Sequence, residues 1–288
     1  MTTSVAVATR TERQPREAAP FVKWAGGKGR LLSQLRPLLP RGIEHMRHVE
    51  PFVGGGALFF SRRPERALLT DINPALIATY LAIRDDAKRV VEALRALAER
   101  HSKTSYYQVR QRYNQAQRMS ASNRAAMFIY LNKTCFNGLH RVNRKGEFNV
   151  PAGSYKNPRI LNEDVLCAAS EALQGAQLQC APFEALLESV KPGDFVYFDP
   201  PYEPVSQTAS FTSYARGGFT RQDQVRLHDV FRALDRRGCK LMLSNSDLHF
   251  IRELYARYHI DTVAAPRAIN CDAKKRGNVS EVVVRNYA

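Results

Sequence analysis

A carboxylate followed by two prolines and a tyrosine, Asp199-Pro200-Pro201-Tyr202, closes the apolar run Phe195–Phe198. Proline has no amide proton and restricts the residue before it, so the pair ends the strand and stiffens the backbone beside the acid. A carboxylate held at the carboxyl end of a strand, next to a ring, suits chemistry on an exocyclic aromatic amine. That nitrogen is a poor nucleophile because its lone pair is delocalised into the ring. Hydrogen bonds from its two N–H groups to Asp199 and to a neighbouring backbone carbonyl favour the pyramidal, more nucleophilic form. Tyr202 then stacks on the base. Asp199 need not be a strong base, since the amine proton turns acidic only on alkylation. The plain alternative is a rigid turn carrying an incidental acid.

Two glycine-rich stretches precede it. Phe52-Val53-Gly54-Gly55-Gly56 follows a short strand and opens a helix, and Asp71 ends the next strand, 17 residues after Gly54. Glycines let backbone lie close to a ligand, and an acid at the second strand end accepts hydrogen bonds from ribose hydroxyls. The spacing is not GxGxxG, so it suits a nucleoside cofactor without a pyrophosphate, such as S-adenosylmethionine; a tight turn without a ligand has the same pattern. In Lys23-Trp24-Ala25-Gly26-Gly27-Lys28 the last lysine precedes Gly29 and no hydroxyl residue, which disfavours NTP hydrolysis. Taken alone, Trp24 reads as packing. His45 and His48 are three apart but lack a third ligand nearby, so no metal is expected.

The elements that must position these residues alternate as strand and helix from Phe21 to about residue 84, which implies right-handed crossovers and a mostly parallel sheet. Leu31, Leu32 and Leu35 share a helical face, strand Ala67–Leu69 follows the glycine loop, and Pro74 opens a helix. From about 85 to 160 a helical pattern (Val90, Leu94, Leu97) gives way to a polar, aromatic, basic stretch too long for a simple connection, hence an inserted subdomain. Sheet patterning resumes afterwards and ends in two β-rich segments, an antiparallel hairpin on the parallel sheet. The expected division is a tail (1–19), a catalytic part (20–84), an insertion (85–160) and a second catalytic part (161–288). The 288 residues carry 43 Lys+Arg against 27 Asp+Glu, a net charge of +16, which favours a polyanionic partner over a small neutral metabolite. No apolar run spans a bilayer, and five scattered cysteines without a CxxC pair point to reduced thiols in the cytoplasm.

The chain closely resembles the DNA adenine methyltransferase (Dam) family from about Phe21 to Tyr287. The resemblance rests on KWAGGK, EPFVGGG, DIN, YLNKTCFNGLHRVNRKGEFNVPAGSYKNP, DPPY, SFTSYARGGFT, LSNSD and KKRGNVSEVVVRNY, in that order. It implies a seven-stranded Rossmann-like methyltransferase sheet with an inserted helical DNA-recognition subdomain. It also implies S-adenosylmethionine as cofactor and double-stranded DNA as partner, with no membrane and no obligatory protein partner. Position by position, it implies cofactor contacts at Trp24, Lys28, Phe52, Gly54, Gly56, Asp71, Phe183 and Asp199, and catalysis by Asp199, Pro200, Pro201 and Tyr202. Pro182 stands where a small polar residue is common.

In relatives that read GATC, an aromatic residue precedes an Asn-Gly-Leu-x-Arg run and a proline follows Glu-Phe-Asn-Val. Here these are Phe136, Asn137, Leu139, Arg141 and Pro151, with Phe136 where tyrosine is commoner. Arg141 suits the O6 and N7 of guanine, Leu139 and Pro151 suit thymine methyl groups, and Phe136 suits a wedge in the base stack. The expectation is N6-adenine methylation of DNA at GATC with base flipping. N4-cytosine or RNA methylation, and a catalytically silent DNA-binding relative, are the alternatives.

Overall fold

A computed structural model describes residues 17–115, 118–203, 219–266 and 278–288. Most of the expected N-terminal tail, Ser210 to Gly218 of SFTSYARGGFT, and nearly all of the NCDAKKRGN loop with Cys271 lie outside the described residues. After a 3-10 turn at Lys28–Leu31, the chain runs α1 (Leu32–Leu35), β1 (His48–Glu50), α2 (Ala57–Arg62), β2 (Ala67–Asp71) and α3 (Pro74–Glu99). Next come α4 (Lys103–Gln115), α5 (Ala121–Thr134), α6 (Glu163–Leu173), β3 (Ala176–Cys180) and α7 (Leu186–Ser189). Then follow β4 (Phe195–Phe198), α8 (Arg221–Arg236), β5 (Lys240–Ser246), α9 (His249–Leu254), β6 (His259–Pro266) and β7 (Asn278–Arg285).

The seven strands form one sheet in the order β3-β2-β1-β4-β5-β7-β6. The first five pair in parallel, and β7 is antiparallel to both β5 and β6. This is the expected mostly parallel seven-stranded α/β sheet with its terminal antiparallel pair. The connections run outward to β3 and then return to β4, so the order reverses between β1 and β4. Open α/β sheets bind ligands outside the carboxyl strand ends at such a switch point.

Alternation along β4 sorts the core. Val196 and Phe198 pack with Leu227, Phe231 and Ile251 of α8 and α9, while Phe195 and Tyr197 pack with Leu31, Leu35 and Leu58. Successive strand side chains point to opposite faces, so β4 is covered on both sides. Each fully buried Val, Leu or Phe contributes about 1.5–3 kcal/mol, which makes β4 a rigid base for the Asp-Pro-Pro-Tyr turn. A third cluster joins Phe21, Val22 and Tyr80 to Tyr106, Phe128 and Phe148, uniting α3, α4 and α5 with the loop that follows them.

The helix expected over Leu31–Leu35 enters as the 3-10 turn and leaves as another at Arg36–Leu38, where Pro37 lacks the amide that a longer α-helix would use. Strand β2 runs two residues beyond Leu69, to Asp71. Asn73 caps α3 through its side chain, with Pro74 in the first turn. Helix α3 departs from helical geometry at Asp86, φ −153°, and runs on to Glu99. No helix among the described residues is long and apolar enough to cross a membrane.

Candidate active site

The carboxyl ends of the parallel strands open onto a cleft of about 1540 Å³. Small-molecule sites commonly occupy about 300–1,000 Å³, so this one has room for a cofactor and a second planar group. Trp24, Lys28, Phe52, Gly54, Gly56, Asp71 and Phe183, with the whole run Asp199–Tyr202, line it.

The glycine loop is shaped by what lies against it. Gly54 has φ +47°, and a Cβ there would stand 2.7 Å from the Trp24 ring. Gly56 has φ +65°, and a Cβ would stand 2.9 Å from the Tyr80 hydroxyl. Both positions therefore exclude side chains. Asp71 ties the loop down: Oδ2 accepts from the Gly54 amide at 3.2 Å and Oδ1 from the Asn73 amide at 2.9 Å. A carboxylate has about four acceptor sites, so capacity is left for hydroxyls. Burial pushes its pKa up to about 6, against the pull of those amides. Phe52, Phe183 and Phe219 form a three-ring wall with centroids 5.6–6.0 Å apart. Phe219 was not singled out from sequence, since only the fold brings it to the other two.

At the other end stands Asp199, one-fifth exposed, with the buried Lys28 ammonium 2.8 Å from Oδ1. The same ammonium donates to the Gly26 carbonyl at 2.5 Å and lies 4.6 Å from the centre of the Tyr202 ring. Lys28, expected among the cofactor contacts, thus reaches the tetrapeptide itself. Desolvation raises the Asp199 pKa to about 6, with Lys28 pulling it down and Glu281 and Glu50 pushing it up. The turn is bolted from beneath by buried amides. Gln224 donates to the Pro201 carbonyl at 3.1 Å, and Asn245 donates to Gln224 at 3.0 Å. The Ser246 hydroxyl donates to the Glu203 carbonyl at 3.0 Å. LSNSD was legible as a motif, but this bracing role was not, because it depends on two elements meeting under a third.

Glu50 is a further carboxylate that sequence reading passed over. Arg62 donates to Nδ1 of the buried His48 at 2.8 Å, so Nε2 carries the proton and donates to Glu50 at 2.7 Å. Burial holds His48 below its usual pKa. His45 is exposed, and among the described residues no three His, Cys, Asp or Glu side chains form a ligand set.

Phe136, Asn137, Leu139, Arg141 and Pro151 lie outside the cleft lining, on a small unit beside it. Antiparallel bridges Cys135–Ala152 and Val142–Phe148 fold this stretch back on itself, and the Phe136 amide donates to the Pro151 carbonyl at 2.9 Å. Asn137 and Gly138 take positive φ, at 53° and 64°, a turn that leaves the Phe136 side chain 51% exposed. Leu139 is half-buried and packs against the core. Arg141 is exposed, with Nε on the Asn149 side-chain oxygen at 2.8 Å. His140, between them, stacks on Trp24 at 5.8 Å and so joins this unit to the glycine loop.

A doubly covered parallel sheet with a glycine loop, an acid at the second strand end and a Pro-Pro-Tyr-backed carboxylate at the fourth defines a methyltransferase-type α/β enzyme. Residues 24–269 match the family of D12 class N6 adenine-specific DNA methyltransferases, and the chain belongs to that family. It is 43% identical to the type II methyltransferase M.MjaIII of Methanocaldococcus jannaschii, over 94% of this chain and 100% of that one. It is 41% identical to the type II methyltransferase M1.LlaDCHI of Lactococcus lactis, over 93% and 95%. Against the DNA adenine methylase of Escherichia coli K12 the identity is 37%, over 91% and 93%. The chain is accordingly an adenine-specific DNA methyltransferase by family, not a cytosine or RNA enzyme.

Proposed function

We propose that this enzyme transfers a methyl group from S-adenosylmethionine to N6 of the adenine in GATC, with that adenine turned out of the duplex into the cleft. The observation that carries the reading is Asp199 at the mouth of β4, paired with a Lys28 that also lies over the Tyr202 ring, in the same cleft as the glycine loop. Carboxylates Glu50, Asp71, Asp199 and Glu281 line that cleft near the strand ends. Such a lining repels phosphates and suits a cofactor that carries positive charge. Asp71 would hold the ribose hydroxyls and the Phe52–Phe183–Phe219 wall the adenine ring, beside a glycine turn packed on Trp24 and Tyr80. When bound, S-adenosylmethionine supplies an electrophilic methyl group on a sulfonium.

The protein's own part is orientation and proton handling. The target amine donates one N–H to Asp199 and the other to a carbonyl of the Pro-Pro turn, which frees its lone pair. Lys28 occupies Oδ1, so Oδ2 is the acceptor offered to the amine. Tyr202 presents its ring to the base. Once nitrogen is alkylated its extra proton becomes acidic, and the ionised Asp199 accepts it.

Recognition at GATC rests on Phe136, Asn137, Leu139, Arg141 and Pro151. The exposed Phe136 ring is a wedge for the gap that the adenine leaves. Asn149 engages the Nε side of Arg141, so a bidentate guanine contact would use its Nη1 and Nη2 edge. Burial and the neighbouring cations Lys23 and Arg159 bring the Lys133 pKa down to about 8, and a backbone phosphate there would relieve that repulsion. The test treats unmethylated plasmid with the enzyme and S-adenosylmethionine, then cuts it with nucleases of opposite methyl sensitivity at GATC. Protection from one and sensitivity to the other is expected. Unchanged cutting with N6-methyladenine present elsewhere would reject GATC alone.

A further inference from the structure

The late run SEVVVRNY enters the cleft lining through Glu281, and the sheet carries that residue to the tetrapeptide. On β7, Glu281 lies opposite Ser246 at the end of β5 and opposite Val263 of β6. From there its Oε2 accepts a hydrogen bond from the Tyr202 hydroxyl at 2.7 Å. Burial and the neighbouring carboxylates keep the phenol pKa far above its ordinary value, so Tyr202 stays protonated and remains the donor. Phenol-to-carboxylate bonds are stronger than neutral ones and fix a ring that would otherwise turn about its side-chain torsions. The Lys28 ammonium lies over that ring and also contacts Asp199, so Glu281, Tyr202, Lys28 and Asp199 form one continuous chain of contacts.

We propose that Glu281 is a positioning residue for methyl transfer, which sets the plane of Tyr202 against the incoming base and acts as a second negative charge beside Asp199. The inference rests on the reading in which Tyr202 stacks on the target adenine. The ionisable groups whose charge Asp199 senses are Lys28 from the N-terminal segment, 2.8 Å away, Glu50 on β1 and Glu281 on β7; the phenols of Tyr197 on β4 and Tyr202 just beyond it sense Asp199 in turn. Among them Lys28 favours the ionised acid, and the two glutamates oppose it.

The experiment measures kcat, KM for DNA and the pH profile of Glu281→Gln, Glu281→Ala, Tyr202→Phe and the double variant Tyr202→Phe/Glu281→Ala, each checked first by thermal melting. Glu281→Gln keeps an acceptor for the phenol but loses the charge. It should leave KM near the parent value and move the acid limb of kcat downward by roughly half a unit to one unit. Glu281→Ala loses both and should lower kcat/KM roughly tenfold or more. The double variant should be no worse than the poorer single one, because both changes break one bond. Parent-like kinetics and pH profile in Glu281→Ala, or additive losses in the double variant, would overturn the proposal. If Glu281→Ala does not fold, an unmoved acid limb in Glu281→Gln overturns it instead. Tyr202→Ala separates the two levels. Full methylation by that variant rejects the stacking reading, whereas loss there with none in Glu281→Ala rejects only the role of Glu281.

Discussion

Asp71 and Asp199 are both carboxyls whose pKa burial lifts to about 6. An acid raised in the folded state binds protons more tightly there than in the unfolded chain. Its contribution to stability is therefore present below about pH 4 and lost as pH rises through about 6. For Asp71→Asn, the stability relative to the parent should improve as pH rises from about 4 to 7, by on the order of 1–3 kcal/mol, while cofactor affinity falls. Melting curves at the two ends of that range decide it, and a pH-independent difference would contradict the assignment. On the proposed mechanism a protonated Asp199 cannot accept the amine hydrogen, so kcat should fall as pH drops below about 6. Asp199→Ala should abolish methylation and leave DNA binding by gel shift largely intact. These acids were legible in the chain because each ends a strand with a distinctive neighbour. Glu281 was not, since its partner lies 79 residues away and only the β4–β5 and β5–β7 registers together bring them side by side.

Among the elements, β2, β4 and the terminal pair were plain from apolar patterning, whereas the edge strand β3, Ala-Gln-Leu-Gln-Cys, is mostly exposed and shows little of it. The stretch around 135–152 was also less plain. Its form depends on side chains of distant helices that satisfy its backbone: the Tyr106 hydroxyl donates to the Val150 carbonyl at 2.8 Å, and Asn114 brackets Phe148 through both its amide and carbonyl at 2.9–3.0 Å. No local periodicity records such bonds. The Pro-Pro turn is braced in the same manner by Gln224 of α8 and Asn245 of β5. Asn245→Ala leaves buried partners unpaired and should cost on the order of 1–3 kcal/mol. That loss would appear as a lower Tm together with a reduced kcat; a variant with parent kcat would show the turn to be rigid by its prolines alone.

At the scale of the whole molecule, a chain of net charge +16 opens onto a cleft where carboxylates crowd the strand ends. The two binding events should therefore respond differently to salt. DNA affinity should fall steeply, with a logarithmic slope of about −0.9 per phosphate contacted, while cofactor affinity changes far less. Parallel titrations of each at rising salt test this. The N-terminal segment adds a constraint of another kind. Asn132 on α5 accepts from the Lys23 amide at 2.7 Å and donates to the Lys23 carbonyl at 2.8 Å, and five residues later Lys28 grips Asp199. Gly138 lies so close to the Lys23 side chain that a Cβ there would stand 2.5 Å from it. Modular exchange is accordingly not free: a chimera that swaps residues 85–160 for those of a relative would set a foreign docking surface against the native strap. Grafts of residues 85–160 that carry residues 21–28 along should recover turnover that grafts of 85–160 alone lose, and parent-like turnover in the latter would show the strap to be dispensable.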